Sequence, residues 1–215
     1  MYAVDMHTHT QHYSSCGHQT IHELLAAAHE RGLYAVCVTE HHHRWDDEAL
    51  AEALEEVGLT GKLVALAGEE ISCYSPDGIR QGDYLVYGLE ESIGHQMHVY
   101  ELIKMVHARG GIVIAAHPFR EGYGSSEIVC ELDIDAIEVF NKAHTPENER
   151  EAWECGQRRG LVMVGNSDAH RPEHVGMNVT YFQEPVDSID DLMRQIREWK
   201  VSIRVPNLVR MAAGG

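Results

Sequence analysis

The sequence predicts a single-domain α/β fold, a parallel barrel smaller than the usual eightfold one, on three observations. Short apolar, strand-like runs alternate with amphipathic stretches at helical spacing. Six of those runs end on residues of the types that bind metals. No repeat, low-complexity stretch or interdomain linker interrupts the alternation. Strand, helix, strand in succession implies right-handed parallel crossovers, and about seven such units fit this length. An open sheet is the alternative, because periodicity does not determine closure.

Residues 2–6 form the first run, ahead of His7-Thr8-His9. Residues 21–31 then place Leu24, Leu25 and Ala28 on one helical face, with Arg31 and Gly32 as the end. Residues 33–38 are the next strand and run into Glu40-His41. Residues 46–57 are acidic and alanine-rich, with Leu50, Leu54 and Val57 spaced for one side of a helix. Residues 63–67 precede Glu69-Glu70, and a further strand is expected at 84–89. Residues 96–109 carry Val99, Leu102, Ile103 and Val106 on one stripe and stop at Gly110-Gly111. Residues 112–116 precede His117-Pro118, and Ala136-Ile137 runs into Glu138. Residues 146–159 and 188–200 read as helices. Between them residues 161–164 lead to Asp168-Ala169-His170, and a last strand falls at 201–205.

The 215 residues suit one domain, residues 1–215, with about 206–215 as a tail. The 17 basic and 34 acidic side chains give a net charge of −17, which repels long nucleic acid. A small phosphate ester remains compatible, because bound divalent ions reverse the local field. The five cysteines form no CxxC pair and are odd in number, so no disulfide framework is expected and a reducing compartment is. No basic segment followed by an apolar stretch begins the chain, and no run reaches membrane-spanning length. The expected location is the cytoplasm, with no membrane partner.

In an extended segment residues two apart point the same way, so His7 and His9 can reach one ion, with Asp5 placed to orient a ligand. Asp168 and His170 repeat that geometry. Carboxylate with imidazole suits Zn²⁺, Mn²⁺ or Fe²⁺ better than Ca²⁺ or Mg²⁺. His117 emerges where Pro118 turns the chain. A carboxylate at Glu70 can bridge two cations; Glu69 is the competing choice, and one of the pair is expected to face away. Of the run His41-His42-His43, successive side chains diverge, and His41 lies nearest the strand. His22, His29, His95, His98, His107 and His174 read as solvent or packing residues, while His12 and His144 lie in loops able to fold over the site. Arg120 and Arg171 follow ligand-type histidines closely and can grip phosphate, with a surface salt bridge as the equal alternative.

In order, the segments Asp5-Met-His-Thr-His-Thr, Val38-Thr-Glu-His, Gly68-Glu-Glu-Ile-Ser, Ala116-His-Pro-Phe, Ala136-Ile-Glu-Val-Phe-Asn and Gly165-Asn-Ser-Asp-Ala-His resemble the PHP (polymerase and histidinol phosphatase) family. The likeness runs from Asp5 to about Phe182 and is nearest to small stand-alone PHP phosphoesterases. It implies a distorted seven-stranded (β/α) barrel with a metal site at the C-terminal strand ends. It also implies two or three divalent transition-metal ions, Zn, Mn or Fe. One ion would use His7, His9, Glu70 and Asp168. A second would use Glu70 and His117, with Asp83 standing where family members usually place histidine. A third would use His41, His170 and one residue of loop 11–18, which offers His12, Cys16 and His18; His18, held by the turn at Gly17, is the choice.

The expected activity is a metal-dependent phosphoesterase that hydrolyses a small phosphomonoester, or a nucleotide or short oligonucleotide, with metal-activated water. The sequence has no glycine-rich phosphate loop and no serine nucleophile elbow, in keeping with that chemistry. The alternatives are a metal-dependent amidohydrolase, or a non-catalytic metal-binding regulatory module. An amidohydrolase often bridges its metals with a carboxylated lysine, for which Lys142 is the nearest candidate.

Overall fold

A computed structural model of the chain describes residues 1–204. Strand β1 (Tyr2–Asp5) leads through helix α1 (Ile21–Glu30) to β2 (Ala35–Val38), and α2 (Asp47–Glu56) carries the chain to β3 (Val64–Ala67). After one residue, Gly68, the chain resumes as β4 (Glu69–Tyr74) and turns back as β5 (Arg80–Tyr87). There follow α3 (Val99–Ala108), β6 (Ile112–Ala116), β7 (Ala136–Phe140), α4 (Pro146–Arg159) and β8 (Val162–Gly165). Strand β9 (Thr180–Phe182), helix α5 (Ile189–Arg197) and β10 (Val201–Ile203) complete the described residues. Residue 205 of the last predicted strand and the expected tail at 206–215 lie outside them.

The α/β class holds, but the described residues form no closed barrel of the expected distorted seven-stranded kind. The described residues hold ten strands in two mixed five-stranded sheets, ordered β10-β9-β1-β2-β3 and β4-β5-β6-β7-β8. Four strand pairs are antiparallel: β1 with β9, β9 with β10, β4 with β5, and β5 with β6. For β4 and β5 the departure follows from connection length. A parallel crossover needs about a dozen residues, and the link from β4 to β5 is too short for one. The two sheets meet through isolated parallel bridges, Thr8 with Ala169 and His41 with Glu70, rather than a continuous ladder. At the β3–β4 junction a side chain on Gly68 would come within 2.5 Å of the Tyr87 ring and 2.9 Å of Thr39. Only glycine lets the chain pass from one sheet to the other there.

Both faces of the parallel strands are buried, which explains their continuous apolar runs. Along β2, Ala35 and Cys37 face an inner core with Val4, Leu85 and Ile114, while Val36 and Val38 face Leu24, Leu25 and Leu50 of α1 and α2. Helices α3 and α4 cover the other sheet through Val99, Leu102, Val106 and Ala152, and α5 adds Leu192, Met193 and Ile196 to the inner core.

The predicted helices are present with ends set by their caps. The Thr20 side chain accepts from the Glu23 N–H, and the Glu23 carboxylate accepts from the Thr20 N–H. Asp46 and Ser188, read as first residues of helices, are N-caps instead. Such caps stabilise a helix by about 1 kcal/mol each. The absence of disulfides expected from the cysteine pattern is overturned: Cys130 bonds to Cys155, tying the 3-10 turn Ser126–Glu131 to α4. The partners are 25 residues apart with Cα atoms 5.7 Å apart, a proximity that only the fold creates. No helix among the described residues is long and apolar enough to cross a membrane.

Candidate metal centre

The C-terminal ends of β1, β6 and β8, and the junction of β2 with β4, converge on one buried cluster. His7 and His9 extend from β1 and are fully buried, with their Nε2 atoms 3.0 Å apart. Glu70 Oε2 lies 3.4 Å from His7 Nε2 and 3.2 Å from His9 Nε2. Asp168 Oδ1 lies 3.5 and 3.3 Å from the same two atoms. A tetrahedral ion held at about 2.0–2.2 Å separates its ligands by about 3.3–3.6 Å. Five edges of that four-atom figure run from 3.0 to 3.5 Å, in the range of ligand separations around an ion, while the Glu70 and Asp168 oxygens fall in different groups of atoms lying within 4.8 Å of one another. Glu70 Oε2 is buried and makes no well-formed hydrogen bond, an orphaned atom at the point where an ion would satisfy it.

Glu70 also reaches outward in two directions. Its Oε1 lies 3.1 Å from His117 Nε2, while its Oε2 lies 3.1 Å from His41 Nδ1. The carboxylate thus faces different histidines with its two oxygens. Glu69 faces away, accepting from the N–H groups of Ile93 and Gly94 at 2.8 Å each. Asp168 and His170 complete the far side, where the His170 ring stacks on His9 at 4.6 Å. Two of the converging residues, His117 (φ 31) and Asp168 (φ 51), adopt left-handed backbone that non-glycine residues rarely take. Each such residue costs on the order of 1–3 kcal/mol, the kind of strain that persists at functional sites.

Charge accounts for the protonation states. Burial opposes charge on His7, but Glu70, Asp168 and Glu138 outweigh it and raise its pKa well above the usual imidazole range. His9 is pushed up to about 9, burial again being outweighed by Asp168 and Glu70. Burial, then the His7 cation, His9 and His117 act on Asp168, with a net displacement below the usual carboxylate range. His170 goes the other way, to about 4, because burial and then His9 disfavour its cation. Without an ion, the imidazolium charges of His7 and His9 compensate the carboxylates; an ion would take over that role by displacing protons.

Three acidic residues support the cluster without joining it. Glu138 holds His7 Nδ1 at 3.3 Å, accepts the His117 N–H at 2.8 Å, and is fixed by Asn141 and Asn166 amides at 2.8 and 3.0 Å. Asp5 orients no ligand ring: it accepts the Ser167 and Gly176 N–H groups at 3.0 and 2.8 Å, holding the segment that carries Asp168. Glu40 accepts from the Thr10 N–H at 3.0 Å and Trp45 Nε1 at 3.0 Å, fixing the loop after His9. Glu138 was visible as one of the six strand ends, but its orienting role required seeing Asn141 and Asn166 in place.

Of the residues singled out by sequence, the structure brings together His7, His9, His41, Glu70, Asp83, His117, Asp168 and His170. It does not bring His18. That side chain is exposed, and its backbone N–H donates to the His170 carbonyl at 2.8 Å. Cys16 turns inward instead, its sulfur grouped with ring nitrogens of His9 and His41 within 4.8 Å. The reason is the turn closed by the Gly17 N–H to the Ser14 carbonyl at 3.0 Å, which sends residues 16 and 18 to different sides. Arg120 reaches the cluster, with Nη1 3.5 Å from Asp168 Oδ2. Arg171 is exposed and makes no side-chain hydrogen bond to the cluster among the described residues. Arg80, which no spacing in the sequence points to, donates from Nη2 to both Asp83 oxygens at 2.7 Å.

The two-sheet α/β fold gathers buried histidines and carboxylates at its strand ends, in groups that could hold a metal ion. A family model described as PHP-associated matches residues 146–201. The chain is 27% identical over 151 residues to an uncharacterized protein of Methanocaldococcus jannaschii, a match covering 65% of this chain and 82% of that one. Among solved structures, it resembles a two-domain protein from Bacteroides vulgatus containing a predicted PHP-like metal-dependent phosphoesterase, with TM-score 0.71 and 18% identity. That match covers 94% of this chain, which spans 64% of the two-domain protein. It also resembles an amidohydrolase from Chromobacterium violaceum with bound sulfate and no metal, at TM-score 0.63 and 15% identity, covering 95% and 99% of the two chains. At these identities the structural likeness is one of fold.

Proposed function

We propose that this chain is a metal-dependent phosphoesterase acting on a small phosphomonoester, a nucleotide or the end of a short oligonucleotide. The observation that carries the reading is the set of four buried atoms on His7, His9, Glu70 and Asp168, in which the two imidazole nitrogens lie 3.0 Å apart and each carboxylate oxygen lies 3.2–3.5 Å from both of them. His41 and His170 extend it on the His9 side, and His117 flanks it on the side of Glu70 and Asp83. This donor set fits zinc, manganese or iron. A divalent ion bound there supplies Lewis acidity toward a phosphoryl oxygen and makes water nucleophilic near neutral pH.

The chain's own groups do the rest. Glu138 holds the His7 ring from behind, and Ser14 Oγ lies 3.4 Å from His9 Nδ1, so both Nε2 atoms are turned to the centre. His170 is neutral at pH 7, leaving a ring lone pair for coordination. Arg120, about one-third exposed and 3.5 Å from Asp168, presents a guanidinium at the edge of the cluster where a phosphate would enter. The excess of acidic over basic residues supports a small substrate rather than long nucleic acid.

The amidohydrolase reading draws on the Chromobacterium violaceum neighbour. It is disfavoured by Lys142, whose Nζ lies 3.0 Å from His174 Nδ1 in an exposed pair rather than between the ligands. A non-catalytic metal-binding module is disfavoured by Arg120 facing Asp168. The deciding experiment incubates purified protein with Mn²⁺ or Zn²⁺ and separate panels of phosphomonoesters and amides. Phosphate release that disappears in the His9→Ala variant is expected; amide hydrolysis alone, or no turnover with metal bound, would refute the proposal.

A further inference from the structure

Arg80 lies where the resemblance implies a second ion. In a regular strand residues three apart face opposite sides, so Arg80 and Asp83 ought not to meet. Strand β5 is irregular just there. Cys73 pairs with Gly82 and Tyr74 with Arg80, so Gln81 is an extra residue bulged out of the ladder. Gly82 takes φ +101, and a side chain on it would strike Ser125 at 2.6 Å, so the loop after His117 presses on the strand at this point. The bulge turns the Arg80 side chain onto the face carrying Asp83.

Once turned, the guanidinium is held on several sides. Nη2 donates to Asp83 Oδ1 and Oδ2 at 2.7 Å each, and Nη1 donates to the Tyr74 hydroxyl at 2.9 Å. Its carbon lies 5.1 Å from the Tyr123 ring centroid and 5.6 Å from that of Tyr74, within cation–π range. Asp83 is 1% exposed, and its Oδ2 lies 3.9 Å from His117 Nε2. An ion bonded to an Asp83 oxygen would sit about 2.0–2.2 Å from it. Added to the 2.7 Å hydrogen bond, that puts the ion within about 5 Å of Nη2. Arginine stays charged at every working pH, so it cannot vacate the position by losing a proton.

We propose that Arg80 is a built-in cation that replaces a metal ion at Glu70, Asp83 and His117, so that this chain binds one ion fewer than the resemblance read from its sequence implies. The inference rests on the metal centre of the proposed function but not on its reaction. Where histidine would offer a neutral lone pair, Asp83 needs a positive partner, and Arg80 supplies one from the same strand. The ions that remain are those at His7, His9, Glu70 and Asp168 and on the His41–His170 side.

The test is a count of ions. Wild type, Arg80→Met and Asp83→Asn are dialysed to equilibrium against the same buffered free Zn²⁺, then metal per chain is measured by elemental analysis. Arg80→Met is expected to hold one more ion than wild type, and Asp83→Asn the same number as wild type. Equal counts for wild type and a folded Arg80→Met overturn the proposal, as does loss of an ion in Asp83→Asn. Should Arg80→Met fail to fold by circular dichroism, Asp83→Asn decides alone. Because the readout is stoichiometry, a protein with these counts that releases no phosphate refutes the proposed function and leaves this inference standing.

Discussion

The two sides of Glu70 are built from similar residues and arranged for opposite purposes. Toward His7, His9 and His41, Glu70 Oε2 meets ring nitrogens, with no lysine or arginine within salt-bridge distance of it among the described residues, and Arg120 reaches Asp168 only at Oδ2, 3.5 Å away, while Oδ1 faces the imidazoles. Toward His117 and Asp83, the carboxylate of Asp83 is already occupied by a guanidinium. Both sides group three or more ligand-type atoms within 4.8 Å. Clustering alone therefore does not distinguish an ion site from an ion pair; what competes for the lone pairs does.

The comparison breaks most easily at its strong side. His9→Ala or Asp168→Ala removes one corner of the four-atom figure and leaves buried charges unpaired. Loss of bound metal and a fall in turnover of about 10³-fold or more are expected, on the scale of losing one preorganised electrostatic group. Asp83→Asn, on the other side, is expected to cost under about tenfold, since its partner there is Arg80 rather than an ion. Metal analysis with single-turnover kinetics checks both. Asp83→Asn losses equal to those of His9→Ala would erase the asymmetry.

A smaller effect is expected at Glu138, which touches ligands from behind. Glu138→Gln keeps the shape and loses the charge facing His7 Nδ1 at 3.3 Å. Removing such an orienting partner typically weakens metal affinity by about 10–100-fold. Competition with a chromogenic chelator measures it. Unchanged affinity would mean that the His7 ring is held by packing alone.

The strand-end residues were legible because their cause is local. A buried strand reads as an apolar run, and the first polar residue beyond it lies at the sheet's edge, as with His7 after Met6 and His117 after Ala116. Helix α4 was legible at both ends, with Pro146 at its first turn and Gly160 (φ 62) closing it. What stayed hidden depends on chain reversals and contacts between distant segments. The β4–β5 hairpin and the short β9 turned an expected parallel barrel into two mixed sheets. The bulge at Gln81 brought Arg80 and Asp83 onto one face against the alternation rule, so no spacing argument pairs them. The inward turn of Cys16 and the Cys130–Cys155 bond are products of loop packing in the same way.

Protonation offers a gentler probe of the strong side. In metal-free protein the pKa of His9 is raised from 6.5 to about 9, and those of His7 and His117 are raised as well. For a base with a raised folded pKa, the stability it contributes is complete below the unfolded value and is lost as pH climbs through the folded one. Metal-free protein should therefore lose stability between pH 6.5 and 9. Glu70 and Asp168 are displaced downward, so their contribution is lost only in acid and leaves this window alone. An ion in place of the protons removes the dependence, so loaded protein should be flat over the same range. Urea denaturation with and without chelator compares the two; a parallel decline in both would detach the histidines from the metal.

The smallest expected effect calibrates the others. His22 also faces a carboxylate, with Nε2 2.6 Å from Glu56 Oε2, a shorter contact than any within the four-atom figure. Distance is not what separates the two cases. His22 and Glu56 are 47% and 65% exposed, whereas His9 and Glu70 are 0% and 1% exposed. In water a pair of this kind contributes about 0–1 kcal/mol, because solvent screens it and both side chains are free to move. His22→Ala should leave bound metal and turnover unchanged and shift stability by no more than about 1 kcal/mol. Thermal melting with metal analysis tests it directly. A loss of metal in His22→Ala would mean that burial at the strand ends is not what distinguishes the working histidines, and the asymmetry across Glu70 would lose its physical basis.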